Sequence, residues 1–483
     1  MNPFATATEL LADLRAGRVT SSELTEMYIG RIEKHDLRLN AVVDRDFDRA
    51  RGLAQAAARG GNGALRGLPI TLKESFNVSG LRTTCGVPEW KDFVSKHDAP
   101  AWARLRAAGA VLLGKTNVPP MLADWQSTNA IYGRTKNPWD LGCTPGGSSG
   151  GSAAAIAAGL SALEVGSDIG GSIRVPAAFC GVYGHRPSET LLPRSGQFPW
   201  PPMPNVGLVM GVQGPMARSA EDLELALTVL AGPEAGEDVA WRVELPAARR
   251  ARLADFRVAV LPQIPWIALD DRIATALDDV AARLARQGCV VGRVQPEGLD
   301  DWKEHYLLYR TLLAMMTSAR IPEERRQQIL GWYRKYDDEF TRAGARGLEA
   351  PPSAYLLWIA RREQYRAAWR EFFQHWDVLL APAFSTLAYP HVERPFPPDE
   401  SDFTLTLAIN GQPAPYMRCL FYPSVATLAG QPATAFPVGR SREGLPIGLQ
   451  AVGPYLEDRT PIRFTALLAG EIGGFQKPEG YDA

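Results

Sequence analysis

Paired cysteines, clustered histidines, a surplus of either charge and long unbroken apolar runs are all missing from this sequence. Each absence removes a class of function. The five cysteines, Cys85, Cys143, Cys180, Cys289 and Cys419, are scattered, odd in number and never in a C-x-x-C pair. No disulfide framework or zinc site is expected, and a reducing, cytoplasmic compartment fits this usage. The six histidines show no ligand spacing, so neither a metal nor another cofactor is expected. Lysine and arginine total 52 against 53 aspartates and glutamates, a net charge of -1. Phosphate binding needs a basic surplus on some face, so a nucleic-acid partner is not expected. The opening MNPFATATELLADLRAGRVTSSEL has no basic stretch followed by an apolar run, and no signal peptide is expected. Two long uncharged stretches, 143–163 and 195–217, are broken by glycine and proline. Neither reads as a membrane span, which needs about 20 mostly apolar residues.

What is present is an ordinary globular composition, 46% hydrophobic and 22% charged, in a chain of 483 residues. That length exceeds one small core and points to two or three domains or one large α/β body with an appendage. Thr20 and Glu23 form a capping box ahead of Leu24, Tyr28 and Ile32, which are spaced for one helix face. LRGLPITLKESFNVSG predicts a short buried strand that ends in polar residues. AAGAVLLGKTN, LSALEVGSDIGGSIR, ADFRVAVLP and WDVLLAPAF each hold a further strand. Strands alternating with helices predict an α/β sheet covered by helices. Residues 302–376 are almost continuously helical in pattern and hold 14 aromatics, about twice the chain-wide share of 9%. Within them Tyr355, Trp358, Tyr365, Trp369, Phe372 and Trp376 are spaced as one buried helix face.

One motif misleads. GAVLLGKT, residues 109–116, matches G-x-x-x-x-G-K-[ST], the signature of a phosphate-binding loop. Such a loop follows a strand and opens a helix. Here the four variable positions are Ala-Val-Leu-Leu, which is strand material. Pro119 and Pro120 follow at once and lack the N–H groups a helix start would offer.

Two serine-bearing glycine loops carry more chemistry. One is Gly146-Gly147-Ser148-Ser149-Gly150-Gly151, running into an alanine-rich helix. The other is GSDIGGSIR, with Ser172 after two glycines. Unpaired backbone N–H groups beside such a loop can hold a developing oxyanion, and a serine there can be a nucleophile once a base takes its proton. His185 is the only nearby histidine, and nothing marks it as part of a triad. A buried lysine is the other solution, because burial disfavours the ammonium form. Lys73 stands out, at the end of the apolar run Leu68-Pro69-Ile70-Thr71-Leu72.

With these blocks in view the sequence closely resembles the amidase signature family of serine hydrolases. The resemblance rests on GLPITLKESFNVSG, LLGKTNVPPM, GRTKNPWD, TPGGSSGGSAAAIAAG, VGSDIGGSIRVPAAFCGVYGHRP, GPMARSAEDLELAL and LAGQPATAFPVGRSREGLPIGLQAVG, in that order. It implies a large twisted mixed β-sheet flanked by helices on both faces, an α/β/α sandwich. It implies Ser172 as nucleophile, Ser148 as a bridging serine after a cis peptide bond, and Lys73 as general base. Ile169, Gly170 and Gly171 would supply the oxyanion N–H groups, and Asp168 and Arg174 would fix the loop. One departure is visible: GHRPS places His185 where the family usually has an apolar residue.

The expected organisation is a catalytic core over 1–235, a continuation of its sheet over 236–300, a helical aromatic-rich insertion over 301–376 and the rest of the core over 377–483. GQFPWPPMPNVG reads as a loop bordering the pocket, with Phe198 and Trp200 as substrate contacts. Met121 and Leu122 join them by resemblance alone. The expected partner is a small-molecule amide or carbamate, acted on by a monomer or homodimer. The alternative is the glutaminase-type subunit of a tRNA-dependent amidotransferase, which would need partner chains and a charged glutamine pocket.

Overall fold

The computed structural model describes residues 1–58, 60, 62–200, 209–299, 301–319, 321–336 and 338–482. The strands in chain order are β1 (Val42–Arg45), β2 (Pro69–Lys73), β3 (Val111–Thr116), β4 (Thr128–Asn129), β5 (Gly133–Arg134), β6 (Glu164–Asp168), β7 (Tyr183–Arg186) and β8 (Val212–Ala217). They continue with β9 (Arg257–Val260), β10 (Val290–Arg293), β11 (Val378–Pro382), β12 (Thr406–Ile409), β13 (Gln412–Pro415), β14 (Ala433–Arg440) and β15 (Pro446–Val452). Eight of them form one sheet in the order β10-β9-β11-β15-β14-β7-β8-β6. Its β10, β9 and β11 run parallel, and every other neighbouring pair is antiparallel. A second sheet, β1-β3-β2, has three strands.

Alternation along the central strands shows why the large sheet is buried on both faces. Val258, Val260, Val378 and Leu380 enter one hydrophobic cluster, while Ala259, Leu379 and Ala381 enter another. Successive side chains of a strand point to opposite faces, so each face needs its own cover. The helices Asp271–Arg286 and Arg459–Ile472 cover the first face. The helices Trp302–Ser318, Pro352–His375 and Phe421–Thr427 cover the second. This is the expected α/β fold. Thr20 and Glu23 do form a capping box, on the helix Ser21–Leu39, and Leu24, Tyr28 and Ile32 are fully buried.

The aromatic segment folds into the helices Trp302–Ser318, Glu323–Lys335, Glu339–Glu349 and Pro352–His375. Of the six aromatics expected on one face, Tyr365, Trp369 and Phe372 are buried, and Tyr355, Trp358 and Trp376 are half-buried against the same cluster. The motif resembling a phosphate-binding loop is the strand β3, as its apolar positions required. Its Lys115 is buried and donates to Thr83 Oγ1 at 3.0 Å and to the Arg82 carbonyl. Among the described residues no helix is long and apolar enough to cross a membrane.

Candidate active site

The site lies where the two sheets meet. β2 is buried along its whole length and pairs in parallel with β3, which sets Lys73 opposite Thr116. On its other side β2 approaches β6: the Thr71 N–H donates to Ser161 Oγ at 3.0 Å, just ahead of that edge strand. Lys73 Nζ therefore sits between the sheets, 2.6 Å from Ser148 Oγ and 3.0 Å from Ser167 Oγ, and donates to both. Burial pushes its pKa down to about 7, against the opposing influence of Asp168, Cys85 and Glu164. Without a carboxylate in direct contact, the cost of burying the ammonium is only partly offset, so the neutral amine is accessible near neutral pH. Glu164, on β6 with Ser167, accepts from Thr116 Oγ1 at 2.8 Å and is itself pushed up to about 7 by burial.

The peptide bond Gly147–Ser148 is cis, as the resemblance implied. A Cβ on Gly147 would lie 2.5 Å from the carbonyl oxygens of both Asp124 and Gln126. The glycine is thus required by neighbouring backbone, and no side chain fits there. The loop leads into the helix Gly150–Ala157, in which every residue is buried and all but Ile156 are small. The Ser149 N–H donates to the Ser172 carbonyl at 3.1 Å and ties the two serine loops together. Ser172 is 7% exposed, against 1% for Ser148 and 0% for Ser149, which makes it the most accessible of the three. No hydrogen bond joins the Ser148 and Ser172 hydroxyls among the described residues.

Asp168 and Arg174 hold the second loop. Asp168 accepts from Arg174 Nε at 3.0 Å and Nη2 at 2.9 Å, and from the N–H of Ile173 at 3.2 Å. Burial works against its ionisation, but Arg174 and Arg186 outweigh it and hold the carboxyl well below the usual range. Arg174 has no exposed surface and also donates to Gln450 Oε1 at 2.7 Å, Thr427 Oγ1 at 2.9 Å and the Pro423 carbonyl at 3.0 Å. One expectation needs correction. The Gly171 N–H, expected at the oxyanion position, donates instead to Asp168 Oδ1 at 3.0 Å, because the backbone turns there through a φ of +89°. The N–H groups of Ile169, Gly170 and Ser172 have no protein acceptor among the described residues.

The remaining expected residues lie near Cys85 and Ser75. The Cys85 carbonyl accepts from the Met121 N–H at 2.9 Å, and Met121 and Leu122 are half-buried with φ of 55° and 60°. The Phe198 N–H donates to the carbonyl of Ser75, two residues beyond Lys73, at 3.0 Å. Phe198 stacks on Trp200 at 4.6 Å, and Trp200 meets the edge of Trp90 at 5.7 Å. Of the loop GQFPWPPMPNVG, positions 201–207 lie outside the described residues. His185 is fully buried, with ring nitrogens 2.9 Å from Thr434 Oγ1 and 3.1 Å from Asp458 Oδ1, so it is a packing residue behind the loop. All five cysteines are free and buried. Among the described residues no group of three or more His, Cys, Asp or Glu could hold a metal ion.

Sequence reasoning missed three contacts. Ser167 was in view, one position before Asp168, but nothing in its spacing marked it as a lysine partner. Trp125 Nε1 donates to the Gly170 carbonyl at 2.9 Å, and Tyr309 Oη donates to the Ile169 carbonyl at 2.8 Å. Both come from distant segments and carry no local signal.

Comparison with known proteins identifies the family. The profile of the family described as Amidase matches residues 23–461. A fatty-acid amide hydrolase 2-A of Danio rerio is 30% identical over 98% of this chain and 89% of its own length. The A subunit of the glutamyl-tRNA(Gln) amidotransferase of Coxiella burnetii is 31% identical over 95% of this chain and 96% of its own length. The solved structure of 6-aminohexanoate cyclic dimer hydrolase in complex with substrate superposes with a TM-score of 0.80 at 27% identity, covering 100% of both chains. With the family profile spanning most of the chain and the fold shared end to end, this chain belongs to the amidase signature family and is an amidase, a hydrolase of amide C–N bonds.

Proposed function

We propose that the protein is a serine amidohydrolase for bulky apolar or aromatic amides, acting through an acyl-enzyme on Ser172 with Ser148 and Lys73 as proton relay. The observation that carries the reading is the buried Lys73 amine, lowered to about 7 and 2.6 Å from Ser148 Oγ. A lysine in that state is a base at neutral pH. In its neutral form it keeps an N–H for Ser167 and turns its lone pair to the Ser148 hydroxyl. Ser148 passes the proton on and takes one from Ser172, the more accessible serine. Ser172 attacks the substrate carbonyl, and the oxyanion is met by the unpaired N–H groups of Ile169, Gly170 and Ser172. The proton returns through Ser148 to the leaving nitrogen, and water then releases the acyl group.

The neighbours of the loop support an apolar substrate. A Cβ on Gly170 would meet the Leu420 side chain, and one on Gly171 would meet Pro423 and Val175. Met121, Leu122, Phe198 and Trp200 would extend such a surface. Aryl esters and carbamates fall within the same acyl-enzyme chemistry. The 31% identity to one component of an amidotransferase supports a second reading, a glutaminase-type subunit. Both are tested by following arylamine release from an acyl nitroanilide, with glutamine alongside, for the wild type and Ser172→Ala. Release by the wild type alone is expected. Turnover of glutamine alone would favour the second reading, and release by Ser172→Ala would refute the nucleophile.

A further inference from the structure

The loop that would hold the oxyanion is gripped from behind by two aromatic side chains, neither of which belongs to the serine–lysine relay. In a trans peptide the C=O and N–H point in opposite directions. Tyr309 Oη donates to the Ile169 carbonyl at 2.8 Å. That carbonyl shares its peptide plane with the Gly170 N–H, one of the donors left without a protein acceptor. Trp125 Nε1 donates to the Gly170 carbonyl at 2.9 Å, and the N–H of that plane is the one held by Asp168 Oδ1 at 3.0 Å. Two consecutive peptide planes in a Gly-Gly segment are therefore fixed by three side chains, where glycine alone would leave both free to turn.

The grips are themselves anchored. Tyr309 is fully buried, stacks on Tyr306 at 6.2 Å, and comes from the helix Trp302–Ser318. Tyr306 Oη in turn donates to the Met417 carbonyl at 2.7 Å. Trp125 packs its ring against Phe384 and Tyr416, each at 5.0 Å, and follows Asp124, which is paired with Arg394 at 2.7 Å. Leu420 packs close by: its Cδ1 lies 3.2 Å from where a Gly170 Cβ would stand.

We propose that Tyr309 and Trp125 are positioning residues for the oxyanion-binding amides, Tyr309 acting on the Gly170 N–H and Trp125 on the plane beside it. This rests on the reading of Ser172 as the nucleophile. The geometry gives the aromatic helical segment a role at the reacting centre besides packing. A hydrogen bond to the carbonyl of an amide fixes its direction and strengthens its N–H as a donor. Both effects matter only when charge develops on the substrate oxygen, so they act on turnover and leave ground-state binding alone.

The test uses the full chain and a fluorophosphonate, which modifies an activated serine whatever the natural substrate. Wild type, Ser172→Ala, Tyr309→Phe and Trp125→Phe are compared for labelling rate and melting midpoint. The last two are also compared with the wild type for kcat and KM on an acyl nitroanilide. Removing a direct oxyanion donor costs roughly 100-fold or more, so loss of an indirect one is expected to slow labelling on the order of 10-fold in Tyr309→Phe. A smaller loss is expected in Trp125→Phe, where Asp168 still holds the plane. The fall should appear in kcat, with KM within about twofold of the wild type, in variants whose melting midpoint stays above the assay temperature. Wild-type labelling rates in both folded variants, or a loss carried mainly by KM, would overturn the proposal while leaving Ser172 in place. Should Tyr309→Phe not fold, the rate and the kcat of Trp125→Phe decide alone. An unlabelled wild type, or labelling of Ser172→Ala at the wild-type rate, would overturn the nucleophile and this proposal together.

Discussion

Lys73→Met is expected to abolish activity and, near neutral pH, to stabilise the fold. A methionine fills a similar volume without the amine. In the unfolded chain Lys73 has an ordinary pKa near 10.5, while burial takes it to about 7 in the native state. The unfolded chain therefore binds more protons between about pH 7 and pH 10, and native stability rises with pH across that window. The linkage between the two values corresponds to roughly 4 kcal/mol lost to Lys73 at pH 7 and only about 1.5 kcal/mol at pH 9.5. Against this stand the two hydrogen bonds to Ser148 and Ser167, together about 2 kcal/mol. Methionine at this position should thus gain on the order of 2 kcal/mol at pH 7. That advantage should shrink, and vanish or reverse, by pH 9.5. Urea unfolding of both proteins at several pH values between 6.5 and 9.5 measures the difference directly. A variant less stable at pH 7, or a difference that does not change with pH, would refute the claim that burial holds this amine near neutrality.

The same geometry sets two more outcomes. If, as proposed, the neutral Lys73 amine is the competent form, kcat/KM of the wild type on an acyl nitroanilide should rise with pH, with an ascending limb centred near 7; a flat profile between pH 5 and 9 would contradict it. Arg174→Ala leaves the Asp168 carboxylate buried without its main partner and strips Gln450 and Thr427 of a donor, so it should cost about 3–5 kcal/mol of unfolding free energy. A loss under about 1 kcal/mol in urea titrations would show that the cluster relaxes.

The parts of the site that local pattern encodes were readable. An apolar run that ends in lysine marked Lys73 as a candidate for burial, and β2 buries it. Glycines flanking serines marked both loops, and the chain brings Ser148, Ser149, Ser172 and Lys73 to one place. What escaped depends on the meeting of distant segments. Tyr309 and the carbonyl it grips are 140 residues apart, and Trp125 and its partner 45. Nothing about an aromatic at helical spacing distinguishes the one whose hydroxyl ends at a loop carbonyl from those that only pack. Two adjacent glycines likewise do not reveal which N–H turns inward to Asp168, since φ is unrestrained by the residue type. His185 was visible as a departure from the family, but its partners Thr434 and Asp458 lie 249 and 273 residues away.

The split of the proposed relay between two sheets has a consequence for assembly. Lys73 hangs from the three-stranded sheet, and Ser172 follows the edge strand of the eight-stranded one. A chain in which only one sheet has formed holds a hydrated lysine of ordinary basicity and unremarkable serines. Docking of β2 beside β6 removes the water, and only that loss turns the amine into a base. On the proposed relay, chemical competence therefore depends on the contact between β2 and β6.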